Sequence, residues 1–196
     1  MNLPNKLTLS RFALTVAFLA VMFSQVRYRE TLALLLFSAA SLTDYFDGKI
    51  ARRDKLITNF GILMDPLADK ILVCSAFIAF VGLNWLPAWM VVIVVARELA
   101  ITGLRLLAAS KNVVLAAEGY GKHKTISQIV AIIAILVFYS YKEWGKLGAA
   151  IFGFDLVGGP WITWFKPLSV WVAVALTFLS GALYLWRNRQ LYLQDL

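Results

Sequence analysis

Residues 41–70 read SLTDYFDGKIARRDKLITNFGILMDPLADK, and this stretch decides how the chain is built. It places Asp44, Asp47, Asp65 and Asp69 inside or beside runs of apolar residues. An aspartate at the centre of a membrane helix costs roughly 2.5–3.5 kcal/mol, so four of them in two adjacent helices demand a compensating partner. Asp44 and Asp47 are spaced i, i+3, and Asp65 and Asp69 i, i+4, so each pair shares one helical face. A basic turn near Arg52–Lys55 joins the two segments. Asp47 stands nine positions before residue 56 and Asp65 nine after it, which predicts equal depth in an antiparallel hairpin. Four carboxylates converging there would repel one another, and some would take up protons unless a cation neutralised them. An oxygen-rich cluster suits a hard divalent ion, Mg²⁺ or Mn²⁺, and four carboxylates have capacity for two. Gly48 and Ala51 lie on the Asp44/Asp47 face, and Gly61 lies one turn before Asp65. These small residues leave room for a bulky anionic ligand, although close helix packing uses the same residue types.

The rest of the chain agrees with a membrane setting. Of 196 residues, 61% are hydrophobic, well above the share in soluble domains. One domain spanning 1–196 is expected at this length. The single cysteine, Cys74, excludes an internal disulfide framework. The net charge of +8 suits anionic lipid or an anionic substrate. Long apolar stretches between the charges argue against nucleic acid. The N-terminus lacks the small-residue cleavage site of a signal peptide.

A membrane-crossing helix needs about 20 mainly apolar residues. On that criterion six spans are predicted, at 7–25, 31–53, 58–83, 86–109, 122–142 and 166–187, giving an all-α, polytopic fold. Pro87 marks a helix start, and 143–160 reads as a glycine-rich loop with an interfacial piece. Six spans put both termini on one side, and that side takes 14 of the 19 lysines and arginines. The positive-inside rule makes it the cytoplasm. The aspartates then lie in the cytoplasmic half of the bundle.

The segment Asp44-x-x-Asp47-Gly48-x-x-Ala51-Arg52, followed by Gly61-x-x-x-Asp65-x-x-x-Asp69, resembles the signature of the CDP-alcohol phosphotransferase family at every specified position and spacing. The resemblance implies six membrane helices, cytoplasmic termini, a bacterial inner-membrane location and transfer of a phosphatidyl group from CDP-diacylglycerol to a small alcohol, with release of CMP. It implies that the four aspartates gather the metal and that Asp69 doubles as general base. It also implies that Gly48 and Arg52, with Asn5, Thr8, Ala51 and Gly61, line the CDP-lipid site. The residues alone name neither CDP nor Asp69 over Asp65 as base.

The acceptor has to be read elsewhere. Glu98, Thr102 and Arg105 share a face of the fourth span, bordered by Arg97, and Lys122 and Lys124 open the fifth. Arg97, Arg105, Lys122 and Lys124 form a basic set suited to an acceptor that carries its own phosphate. Lys122 and Lys124 also satisfy the positive-inside rule, and Arg97 can pair with Glu98. His123 is read as a bystander. The N-terminal Asn5, Thr8 and Arg11, the Arg97-Glu98 pair, Arg105 and residues 121–125 together resemble the branch of the family whose acceptor is sn-glycerol 3-phosphate. An inositol phosphate is the alternative acceptor. The expected partners are therefore CDP-diacylglycerol, glycerol 3-phosphate and membrane lipid, with a homodimer allowed. A divalent-cation or proton-coupled transporter is the rival class, since intramembrane carboxylates also mark ion paths. The crowding of these carboxylates near one membrane face and the lack of paired broken helices weigh against it.

Overall fold

The computed structural model describes residues 3–54, 59–111, 113, 120–156 and 158–193, with side chains described for 9–43, 67, 70–111, 113, 123–156 and 158–192. Long apolar runs become long helices: α1 (Leu3–Met22), α2 (Arg29–Asp54), α3 (Asn59–Gly82), α4 (Ala88–Ser110), α5 (Tyr120–Ser140) and α7 (Trp161–Arg187). A 3-10 turn (Tyr141–Trp144) and a short α6 (Gly145–Phe152) follow α5, and α8 (Gln190–Leu193) follows α7. Among the described residues the one extended pairing is an isolated bridge between Asp155 and Pro160.

The turns follow from local chemistry. Pro87 is extended at φ −71° and ψ 137°, and α4 begins at the next residue. Just before it, Asn84 takes the left-handed conformation at φ 58°, which asparagine tolerates better than most residues. The Trp85 amide donates to the Phe80 carbonyl at 2.8 Å, and the Trp85 ring stacks on Tyr139 with centroids 3.8 Å apart. The predicted loop at 143–160 is instead partly helical. Gly148 permits this, because a β-carbon there would meet the Tyr141 carbonyl oxygen at 1.9 Å. Helix α7 starts at Trp161, before the expected 166, and Pro167 falls within its second turn. Ser169 Oγ donates to the Lys166 carbonyl close by, at 2.8 Å.

Helix α1 packs against both α2 and α3, α5 against α2 and α7, and α4 against α3 and α7. One continuous core runs through these contacts and includes Phe18, Phe37, Phe77, Phe80, Ile132 and Ile135. Ala33, Ala40, Ala76, Ala131 and Ala173 are fully buried within it. Small residues at the crossings let backbones approach closely, which is how helices associate where lipid removes the hydrophobic drive.

The outer face is apolar too. Val16, Leu35, Ile78, Val92, Leu99, Leu106 and Phe178 are each more than half exposed. An apolar surface around an apolar core is matched to lipid and mismatched to water. Among the described residues two helical runs, His123–Phe152 and Trp161–Arg187, are long and apolar enough to cross a membrane. The runs Leu9–Met22 and Lys70–Gly82 are apolar but shorter.

Candidate active site between the aspartate hairpin and helices α4, α5 and α7

Counted along α2 and α3, the four aspartates fall at similar distances from the helix ends that face residues 55–58. Asp47 lies seven residues before the end of α2 and Asp65 six after the start of α3. Asp44 and Asp69 are each ten residues from those same ends. At a rise of about 1.5 Å per residue, Asp47 and Asp65 lie about 10 Å along their own helices from those ends, and Asp44 and Asp69 about 15 Å. Gly48, Ala51 and Arg52 continue α2, Gly61 lies in the first turn of α3, and Asn5 and Thr8 are in the first two turns of α1. The side chains of Asp44, Asp47, Asp65, Asp69, Asn5, Thr8, Gly48, Ala51, Arg52, Gly61 and Lys122 lie outside the described residues. Among the described ones, no three metal-ligating side chains gather.

The described part of the site lies on α4, α5 and α7. Glu98 on α4 and Lys124 on α5 are 4% and 5% exposed, and the Lys124 ammonium donates to Glu98 Oε1. The Arg97 guanidinium reaches both Glu98 carboxylate oxygens, at 3.4 and 3.5 Å. Glu98 thus ties Lys124 down, while Arg97, at a longer distance, keeps donors for another anion. Below this pair Gln128 Nε2 donates to Thr177 Oγ1 at 3.0 Å, fully buried. Farther along α4, Arg105 Nε donates to the Tyr184 hydroxyl at 3.4 Å, and the guanidinium lies over the Tyr184 ring, 5.6 Å from its centroid.

Helix α3 connects the two halves. Lys70, the residue after Asp69, lies within electrostatic range of Glu98 and Lys124, and so does Cys74 one turn on. Helix α3 also packs against α4 and α5, the two helices that carry the buried charge cluster.

Of the residues expected to form a basic set, Arg97 and Lys124 meet at Glu98, and Arg105 lies within electrostatic range of Arg97. Lys124 is engaged by Glu98 and is not an open cation. His123 is exposed. Sequence reasoning missed the share of α7. Thr177, Gly181 and Tyr184 are buried on one stripe of that helix, and their i, i+4, i+7 spacing was the signal available.

The sequence profile of the CDP-alcohol phosphatidyltransferases matches residues 1–179. The chain belongs to the CDP-alcohol phosphatidyltransferase family. Among its relatives, the CDP-diacylglycerol–glycerol-3-phosphate 3-phosphatidyltransferase of Bacillus subtilis is 40% identical, with 95% of each chain covered. The protein of the same name from Rickettsia bellii is 34% identical over 93% of each chain. A probable phosphatidylglycerophosphate synthase of Mycobacterium tuberculosis is 41% identical over 67% of this chain and 64% of its own. As a CDP-alcohol phosphatidyltransferase, the chain carries the aspartate-bearing helices and the α4–α5 charge cluster within the part that matches the family, and the last turns of α7 with α8 lie beyond it.

Proposed function

We infer that this phosphatidyltransferase moves the phosphatidyl group of CDP-diacylglycerol onto sn-glycerol 3-phosphate, releasing CMP and phosphatidylglycerophosphate. The observation that carries the reading is the buried Arg97–Glu98–Lys124 cluster, bonded across α4 and α5 in a chain whose α2 and α3 carry the four aspartates. A phosphorylated alcohol seated on the cluster brings its hydroxyl to the aspartate hairpin. The names of the relatives, over nearly the full chain, point to glycerol 3-phosphate.

Each group has a task. Asp44, Asp47, Asp65 and Asp69 hold Mg²⁺ or Mn²⁺, two ions at full occupancy. Bound there, the cation offsets the charge that builds on the pyrophosphate during transfer. Asn5, Thr8, Gly48, Ala51, Arg52 and Gly61 seat the CDP-lipid, the small residues leaving space and Arg52 meeting a phosphate. Arg97 and Arg105 hold the acceptor phosphate, with Lys122 at the rim and Lys124 holding Glu98. The acceptor hydroxyl is a poor nucleophile at neutral pH and needs a base. Asp69 takes its proton as the oxygen bonds to the β-phosphorus of the CDP-lipid. The bond from that phosphorus to the CMP oxygen breaks, and CMP leaves with the electron pair.

The enzyme lies in the bacterial cytoplasmic membrane, with α1–α5 and α7 as six spans, both termini and the site facing the cytoplasm, and α6 at the opposite surface. The test is CMP release by purified protein given CDP-diacylglycerol, Mg²⁺ and either glycerol 3-phosphate or an inositol phosphate. Faster release with the inositol phosphate would move the acceptor assignment, and no release with either would remove the proposed activity.

A further inference from the structure

We propose that α7 is a wall of the acceptor pocket, with Tyr184 positioning the Arg105 guanidinium and Gly181 positioning the Arg97 side chain so that both cations meet one phosphate. The proposal rests on the reading of Arg97 and Arg105 as acceptor-phosphate ligands and deepens it. Arg97 and Arg105 are eight residues apart on α4, about 12 Å along its axis. Helical side chains lean toward the N-terminus of their helix, so both lean the same way and their separation does not close by itself. An arginine stem also samples many rotamers unless something holds it. Two guanidiniums at this spacing converge only if a neighbouring helix steers them.

Helix α7 supplies the steering groups. Tyr184 is buried at 4% exposure while Arg105 is exposed, so a fixed ring holds a mobile cation. The contact uses both parts of the side chain, the hydroxyl accepting from Nε at 3.4 Å and the ring face lying under the guanidinium. Tyr184 lies within one turn of Gly181, whose backbone meets the Arg97 stem, so the same stripe of α7 faces both arginines. Its own backbone is braced, because the Asn188 amide donates to the Tyr184 carbonyl at 2.8 Å. At Gly181 the Arg97 stem lies directly on the α7 backbone, and a β-carbon there would come within 2.6 Å of Arg97 Cγ. Any larger residue displaces the stem. Gly181 and Tyr184 occupy one stripe of α7, less than one turn apart.

The experiment uses the full-length enzyme in detergent micelles and measures kcat, both KM values and competitive inhibition by inorganic phosphate. Tyr184→Phe should raise KM for glycerol 3-phosphate about 3–10-fold and weaken phosphate inhibition by a similar factor, with KM for CDP-diacylglycerol unchanged. In an Arg105→Ala background the same substitution should add nothing, because its effect passes through Arg105. Gly181→Ala should also raise the glycerol 3-phosphate KM selectively. Should Gly181→Ala fail to fold, Tyr184→Phe, which removes one oxygen, decides alone. A wild-type acceptor KM in Tyr184→Phe, equal rises in both KM values, or full additivity with Arg105→Ala overturns the proposal. A wild-type acceptor KM in Arg105→Ala overturns the underlying pocket reading instead, so the two failures are separable.

Discussion

The carboxylate of Glu98 on α4 accepts the ammonium of Lys124 on α5, and both side chains are almost completely buried. The pair spans two helices that each pack mainly against others. Removing Glu98 leaves the buried Lys124 ammonium without its carboxylate, which costs about 3–5 kcal/mol, whereas removing Lys124 leaves Glu98 still facing Arg97 and costs less. Glu98→Gln should lower the unfolding temperature in detergent more than Lys124→Met does, and the double variant should be more stable than Glu98→Gln alone. A double variant as unstable as the sum of the singles would show that the pair is not a unit.

Metal dependence follows from the four aspartates of α2 and α3. Chelator should abolish CMP release, and added Mg²⁺ or Mn²⁺ should restore it. Asp44→Asn, Asp47→Asn and Asp65→Asn should each lower turnover by about two orders of magnitude or more, since the cation's charge stabilisation amounts to several kcal/mol. Turnover that persists in metal-free protein would contradict the assignment.

Asp69 separates into base and ligand by kinetics. General-base catalysis contributes about 10²–10⁴-fold, so Asp69→Asn should lose kcat on that scale while binding of the CDP-lipid persists. Near-wild-type turnover of this variant at saturating metal would leave Asp69 as a ligand only.

The two substrate sites should respond separately. Arg97→Ala and Arg105→Ala should raise KM for glycerol 3-phosphate about tenfold or more, on the scale of hydrogen bonds to charged groups, and change KM for CDP-diacylglycerol less. Arg52→Ala should show the opposite bias. Steady-state kinetics with each substrate varied in turn provides the check, and equal changes in both constants would merge the proposed sites into one.

Topology can be read by labelling. In a Cys74→Ser background, a cysteine at Gly153, just past α6, should react with an impermeant thiol reagent from outside the cytoplasm, and one at Arg189 from the cytoplasmic side. Labelling of position 153 from the cytoplasm alone would remove the six-span arrangement.

Much of this was legible along the chain. The six long helices lie within a few residues of the apolar runs, since a helix that meets lipid must be apolar over its own length. The largest shift is at the start of α7, which begins at Trp161 and takes in Lys166 and Pro167 within its first two turns. The family was readable too, since the spaced aspartates of residues 44–69 carry the resemblance that the match over residues 1–179 bears out. Arg97, Arg105 and Lys124 stood out because charges in or beside an apolar run need a partner.

What the sequence determined by itself was therefore the content of each helix: its length, its polar exceptions and the face they share, all set by neighbours within a few residues. Only the tertiary structure decided who meets whom. Lys124 turned out to be held by Glu98, 26 positions away, and Arg105 to rest on Tyr184, 79 positions away. A helical period fixes direction around one axis but carries no information about which other helix lies there. That depends on how small residues such as Ala131, Ala173 and Gly181 let α5, α7 and α4 approach. It is also why the part played by α7 in the site came into view only once the helices were packed together.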